Sequence, residues 1–318
     1  MITNNKERNE APMEMRKKRS FSLRMHSAVP YLFIMPWIIG FLAFTLGPLI
    51  FSFIISFFDW PIVGEKTFVG LDNFINMFTD DPLFWTSLTV TVKFAIIFVP
   101  VNILIALGLA ILLNRNVRGS GFFRTAFYVP SVISGVALAM IWSWVYDGEY
   151  GILNYALSLI GVEGPNWLND PKWSLVAMVF ASLWGQGSMM LIFLAGLKNI
   201  PRELYEASAI DGAGTVSQFF RITLPMLSPT ILFNLITTII SAFQQLTLAL
   251  VLTGGGPLNS TYFYAMYMYE NAFKYSKMGY ASANAWFMFA IVLVLTMLVF
   301  RSSSAWVYYE GEMKGGKG

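Results

Sequence analysis

The side chains best placed to do chemistry in this sequence lie at 199–229, the longest run between the first and last apolar segments that carries both charge signs. Glu206 offers a carboxylate that can register a contact with a cation. Leu204, Ala207 and Ser208 share one helical face by their spacing, and small residues there permit the close approach of another protein. Pro201 suits the first turn of a short helix, where its missing N–H costs nothing. Residues 202–211 are good helix formers, and Gly212 can end the helix in a left-handed conformation. A second short helix at 215–222 would lead back, with Pro225 and Pro229 bounding the next apolar segment. This is chemistry of recognition, and the residues alone suit an amphipathic connector resting on a membrane equally well.

Bond-breaking chemistry has little to work with. There is no cysteine and only one histidine, His26, so thiol nucleophiles, thiolate metal sites and Ser-His pairs are excluded. No Gly-x4-Gly-Lys-Ser/Thr sequence is present, so the chain cannot cradle the phosphates of ATP. The net charge of +3 calls for no nucleic-acid partner, because the basic residues concentrate in loops.

The elements that must position the 199–229 run are apolar. The chain is 56% hydrophobic and 12% charged, half the charge of a soluble domain at about 25%. Six long runs, at 31–58, 88–113, 125–146, 173–197, 228–252 and 280–300, predict an all-α membrane protein with six transmembrane helices. The first run is too long for a secretory h-region and reads as an uncleaved span. Pro36, Gly40, Gly47 and Pro48 predict tilt or kinking within it. Lys93 falls near the outer end of span 2, where its stem can snorkel. A short surface helix is expected at 151–160. Arg16, Lys17, Lys18, Arg19, Arg115, Arg118, Arg124, Lys198, Arg202, Arg221 and Arg301 fall on one side, and the opposite loops are acid-rich. Both termini and the 199–228 handle are therefore expected on the cytoplasmic side. The organisation is a basic segment at 1–26, a membrane domain at 27–301 and a tail at 302–318.

Glu206, Ala207 and Ser208, then Gly212, then Ile222, Leu224 and Pro225 resemble the EAA loop of ABC importer permeases, Glu-Ala-Ala-x3-Gly-x9-Ile-x-Leu-Pro, with every spacing in place. Ser208 stands where the family usually has alanine. Tyr205, Ile210, Asp211 and Ala213, with Ile200 and Pro201 upstream, resemble the carbohydrate-uptake branch. So do Gly148 to Gly151, Trp167 with Leu168, and Leu252 to Pro257, so the likeness runs from span 1 to span 6. It implies the type I importer permease fold and a non-catalytic subunit of the bacterial cytoplasmic (inner) membrane, with spans 2–6 rocking between inward- and outward-open states. Glu206, Ala207, Asp211, Gly212, Leu224 and Pro225 would be the coupling positions. The implied partners are two cytoplasmic ATPase subunits, a second permease of similar size, and an external substrate-binding protein docking on loops that include 147–172 and 254–259. ATP and Mg would reside on the ATPase; no cofactor or metal is expected in this chain.

A sugar path needs hydrogen-bonding side chains and flat aromatic faces. Spans 3–5 offer Trp142 and Trp144, then Gly185, Gln186 and Ser188, then Asn234, Gln244 and Gln245. By resemblance Gln244 and Gln245 align with sugar-contacting asparagines of a related maltose permease, and Gly185 and Ser188 with sugar-facing positions. Membrane amides also glue helices together, and interfacial tryptophans form belts. The competing class is an ion-coupled secondary carrier for a small polar solute. Such carriers usually place ionisable residues inside their spans, and these spans are almost free of them.

Overall fold

The computed structural model describes residues 33–115 and 118–308. The basic cluster at Arg16 to Arg19, and residues 309–318 of the expected tail, lie outside the described residues. The chain falls into two compact units, one up to Ile55 and one from Ser56 onward.

The described part of the first unit is α1 (Phe33–Ile55), 23 residues of high hydropathy. Its backbone widens into a π turn at Leu42–Leu46, and Gly47 N–H bonds to Leu42 O. Pro48 lacks a donor for the regular ladder, and such a bulge absorbs the mismatch. The helix ends three residues before the expected boundary.

The second unit opens with a two-stranded antiparallel ribbon, β1 (Phe58–Asp59) on β2 (Thr67–Phe68), and then α2 (Asp72–Thr79). Next comes α3 (Pro82–Asn114), which starts six residues before the expected span. The reason is local: Asp81 Oδ1 accepts from the Leu83 and Phe84 amides at 2.9 and 3.3 Å, and Pro82 occupies the first turn. At 1.5 Å per residue its 33 residues run about 50 Å, well beyond a hydrocarbon core of about 30 Å. The surplus belongs to a cap at the Asp81 end. There Asp81 Oδ2 accepts from Tyr267 Oη at 2.6 Å and Tyr280 Oη at 3.0 Å, and Met77, Phe84, Phe94, Phe263 and Tyr264 form a buried core. Lys93 is exposed on α3, about 31 Å from the Asn114 end, which matches a membrane boundary.

Spans 3, 4 and 5 are each interrupted. Span 3 is α4 (Ser120–Tyr128), a 3-10 turn at Val129–Val132 and α5 (Gly135–Val145), bent by 103°. Pro130 opens the turn, and Ser134 Oγ caps α5 through Ala137 N–H at 3.3 Å. Between spans 3 and 4, α6 (Ile152–Ser158) is the expected short helix. Span 4 is α7 (Ser174–Leu183) and α8 (Gly187–Lys198), bent by 49°. After α9 (Arg202–Ile210) and α10 (Thr215–Met226), span 5 is α11 (Ser228–Phe243) and α12 (Thr247–Leu252), separated at residues 244–246. At about 24 and 9 Å, α11 and α12 together match the membrane core, which neither does alone. The expected outer loop contains α13 (Tyr264–Tyr269) running into a π turn, Glu270–Lys274. Span 6 is α14 (Met278–Ser303).

The core of the handle-side half sits between α3 and α8. Ala106 and Ala110 on α3 are small enough to admit the α8 residues Met190, Phe193, Leu194 and Leu197, all buried. These recur at i, i+3, i+4 and i+7, a single helical stripe.

Candidate functional site

Two features bring together residues singled out from the sequence: a polar seam where the broken spans meet, and the handle. In the seam, the chain between α7 and α8 is Trp184, Gly185 and Gln186. Gln186 is buried and its Nε2 donates to Ser182 O at 3.2 Å, closing off the end of α7. Gly187 opens α8 directly against the Phe127 carbonyl and Tyr128 Cα, backbone atoms that a Cβ would overlap. One residue on, Ser188 Oγ donates to Ser131 Oγ at 3.2 Å. The break in span 5 adds Gln245, whose Nε2 donates to Ser182 Oγ at 2.9 Å, while Ser182 Oγ donates to Met178 O at 2.8 Å. Gly135, at the start of α5, lies against Thr247 at the start of α12. Hydroxyls and amides from three spans thus converge where the helices are cut. No residue at 125–146, 174–197 or 228–252 is ionisable apart from tyrosine. Broken helices at mid-membrane supply unpaired backbone groups that can bind a polar solute where the backbone lines a cavity.

Each proposed path residue has a definite place. Gln245 is half-buried and turned to span 4, whereas Gln244 is exposed and lines a separate cavity of ≈ 400 Å³ with Leu246, Met268, Tyr269 and Met288. Gly185, Gln186 and Ser188 all belong to the seam. Trp142 packs within the core, stacked on Tyr146 at 4.9 Å and edge-on to Trp184 at 5.6 Å, and its Nε1 is buried without a partner. Trp144 is 78% exposed. Asn234 is buried on α11, one turn from Thr238, which lies 3.5 Å from Asn102 Nδ2 on α3. That places it at a helix interface, with its Nδ2 unpartnered. Sequence reasoning passed over Ser131, Ser182 and the exposed Trp184. Trp184 adjoins Gly185, and that neighbour was its one local signal.

At the handle, α9 ends in the left-handed turn expected of Gly212, whose φ is +80°. Ala213 N–H bonds back to Ser208 O at 2.9 Å and Gly212 N–H to Ala209 O at 3.1 Å, satisfying carbonyls at the helix end. Glu206, Ala207, Asp211 and Gly212 are exposed. Leu224 is half-buried against the handle-side core, and Pro225 is half-buried with its carbonyl accepting from Ser228 Oγ at 2.6 Å. The exposed surface also carries Ile210 (87% exposed) and Val216 (72%), apolar residues the motif does not mark. Among the described residues, no group of three or more His, Cys, Asp or Glu could hold a metal ion.

The fold and much of the sequence recur in known proteins. The model of the family described as "Binding-protein-dependent transport system inner membrane component" matches residues 102–308. The chain is similar to the "Probable ABC transporter permease protein YesP" of Bacillus subtilis (strain 168), 44% identical over 93% of this chain and 96% of that one. It is 39% identical to the "Sulfoquinovosyl glycerol transport system permease protein SmoG" of Agrobacterium fabrum, over 77% of this chain and 80% of that one. A chain of a bacterial alginate ABC transporter, solved in complex with an alginate pentasaccharide-bound periplasmic protein, superposes with a TM-score of 0.78 at 22% identity. It covers 90% of this chain and 97% of that one, a likeness of fold.

Proposed function

The chain belongs to the family of binding-protein-dependent transport system inner membrane components, and from that premise we propose that it lines half of the import path for a neutral sugar or oligosaccharide. It is a non-catalytic, multi-pass permease subunit of an ABC importer, with the type I importer fold, and the ion-coupled carrier reading is set aside. The observation that carries the substrate class is the seam at the breaks of spans 3–5. Its side chains are amides and hydroxyls, the partly exposed Trp184 stands in the chain between Ser182 and Gln186, and spans 3–5 hold no ionisable residue apart from tyrosine at 125–146, 174–197 and 228–252. Neutral hydroxylated rings suit such a lining, since hydroxyls exchange hydrogen bonds with Gln245, Ser182 and Ser188 and apolar CH faces rest on an aromatic ring. The relative named for sulfoquinovosyl glycerol carries sugar chemistry into the same family, but its sulfonate is anionic, so the neutral assignment rests on the seam alone.

The handle is the coupling loop in this reading. Glu206 pairs with a basic residue of a cytoplasmic ATPase, Ala207 and Gly212 allow close seating, and Ile210 and Val216 supply apolar contact. Asp211 flanks the turn. Leu224 and Pro225 act from below, fixing the base of the handle on the membrane core. ATP and Mg belong to the paired ATPase subunits. A second, distinct permease completes the path, and an external binding protein delivers substrate to the loops at 147–172 and 254–259. Both termini then face the cytoplasm, with 1–26 and 302–318 flanking a membrane domain at 27–301.

A pull-down of detergent-solubilised protein from its own host, wild type against Glu206→Ala, tests this assembly. Wild type should recover an ATPase, a second permease and a binding protein, and the variant should lose the ATPase alone. Titration of the recovered binding protein with neutral and anionic saccharides tests the substrate class. Binding of anionic saccharides only would overturn the neutral assignment, and recovery of no ATPase with wild type would overturn the coupling role.

A further inference from the structure

We propose that Gln218 and Ser208 are positioning residues for coupling: they tie the two limbs of the handle, α9 and α10, into one lever. The inference rests on the reading of 199–228 as the ATPase-docking loop and concerns how a push on that loop reaches span 5.

No residue of α9 is buried, and a nine-residue helix is marginal in water by itself. The link from α9 to α10 runs through Gly212, Ala213 and Gly214, a flexible joint by composition. Beyond α10 the chain turns by 64° into α11 at Leu227. A load applied at the exposed Glu206 edge would be lost at the glycine joint unless the limbs were fastened side to side.

The fastening is a closed ring of hydrogen bonds. Gln218 Nε2, on α10, donates to Ser208 Oγ at 2.9 Å and to Tyr205 O at 3.1 Å, both on α9. Ser208 Oγ donates its single proton to Tyr205 O at 2.9 Å, which leaves its lone pairs for Gln218. Below this ring, Tyr205 Oη lies 2.9 Å from Thr223 Oγ1, a buried hydroxyl on α10. Gln218 and Ser208 are half-buried, which limits competition from water.

Local backbone geometry makes both attachments possible. Gln218 and Thr223 are five residues apart, which in a regular helix sets them about 140° apart around the axis. The segment between them, Phe219–Thr223, is a π turn. The wider i→i+5 turn brings residues five apart back toward one face, so both reach α9. Ser208 faces inward to Gln218, whereas its neighbours Glu206 and Ala207 are exposed. The hydroxyl therefore serves the lever and leaves the docking edge to its neighbours.

The test uses the complete importer in proteoliposomes, reading uptake, ATP hydrolysis and the amount of ATPase co-purified. Gln218→Met keeps the length and apolar stem of the side chain but has no donor. It should retain the ATPase and hydrolyse ATP at near the wild-type rate, while transport per ATP falls about fivefold, the factor a net hydrogen bond of this kind is worth. Ser208→Ala should give a smaller fall, because Gln218 keeps its bond to Tyr205 O. The double variant should be no worse than Gln218→Met alone, since residues of one network are not additive. A wild-type transport-to-ATP ratio in Gln218→Met would overturn the tie, and so would loss of the assembled complex, which would assign the pair a structural role. Glu206→Ala serves as the control for the underlying reading. If it sheds the ATPase while Gln218→Met couples normally, only the tie fails; if it keeps the ATPase, the docking reading fails first.

Discussion

Gln245→Ala distinguishes an amide that joins helices from one that meets substrate. In the structure Gln245 donates one hydrogen bond, to Ser182 Oγ at 2.9 Å. Removing it leaves no orphan at Ser182, which still donates to Met178 O. Hydrogen bonds between membrane helices average about 0.6 kcal/mol, and Gln245 is only half-buried, so the stability cost should be about 1 kcal/mol. Against a total of about 5–15 kcal/mol, that does not deplete the folded protein. A carboxamide facing a sugar can make two hydrogen bonds to it, together about 1–3 kcal/mol, or roughly 5- to 150-fold in uptake at low substrate. The assay is uptake of labelled sugar into proteoliposomes holding the complete importer, normalised to intact complex. Uptake should fall at least fivefold with the complex retained. Uptake within about twofold of wild type would refute the reasoning and leave Gln245 as helix glue, as would a loss of uptake that merely tracks a loss of complex.

Other consequences follow from particular residues. Gly187→Ala should lower the thermal midpoint of the purified complex by several degrees and impair uptake, because its methyl meets the Phe127–Tyr128 backbone and overpacking costs about 1–3 kcal/mol. Gly185→Ala, whose nearest neighbour would be Ser182 O at 3.9 Å, should leave the midpoint unchanged. Gly212→Ala meets open space but must hold φ at +80°, a strain of about 1–2 kcal/mol that asparagine partly escapes. Recovery of the ATPase should therefore be highest with wild type, lower with Gly212→Asn and lowest with Gly212→Ala, and equal recovery from all three would count against the turn. At the far side, the Tyr150 and Glu149 amides hold the Asp147 carboxyl below its ordinary 3.8. A lowered folded pKa stabilises the turn above the unfolded value, and the effect is lost as pH falls through the lowered one. Amide exchange at Glu149 and Tyr150 should be faster in Asp147→Ala than in wild type at pH near 6, with the difference vanishing in strong acid.

The number of crossings, the place of the handle and its left-handed Gly212 turn were legible in the amino-acid sequence. Each rests on a local property: apolar length against membrane thickness, capping chemistry, and the freedom of a residue without a Cβ. The start of α3 was also written locally, in Asp81 and Pro82, and needed only closer reading of the cap. The seam was not legible in this way. Spans 3 and 4 carry Pro130 and Gly185 near their breaks, yet span 5 is cut at Gln244 to Leu246 with neither glycine nor proline there. A helix in a membrane can open only where other groups satisfy what the opening frees. Beside the breaks, side chains far apart in sequence are joined: Gln245 of span 5 donates to Ser182, 63 residues away, and Ser188 of span 4 donates to Ser131, 57 residues away, although these bonds link side chains and not the freed backbone groups. The same long-range packing buried Asn234 on the α11 face that meets α3 and left Trp144 and Trp184 exposed. Hydrophobicity and capping act along the chain and set which segments cross the membrane. The positions at which those crossings break depend on partners brought together from distant segments, and those pairings exist only in the folded protein.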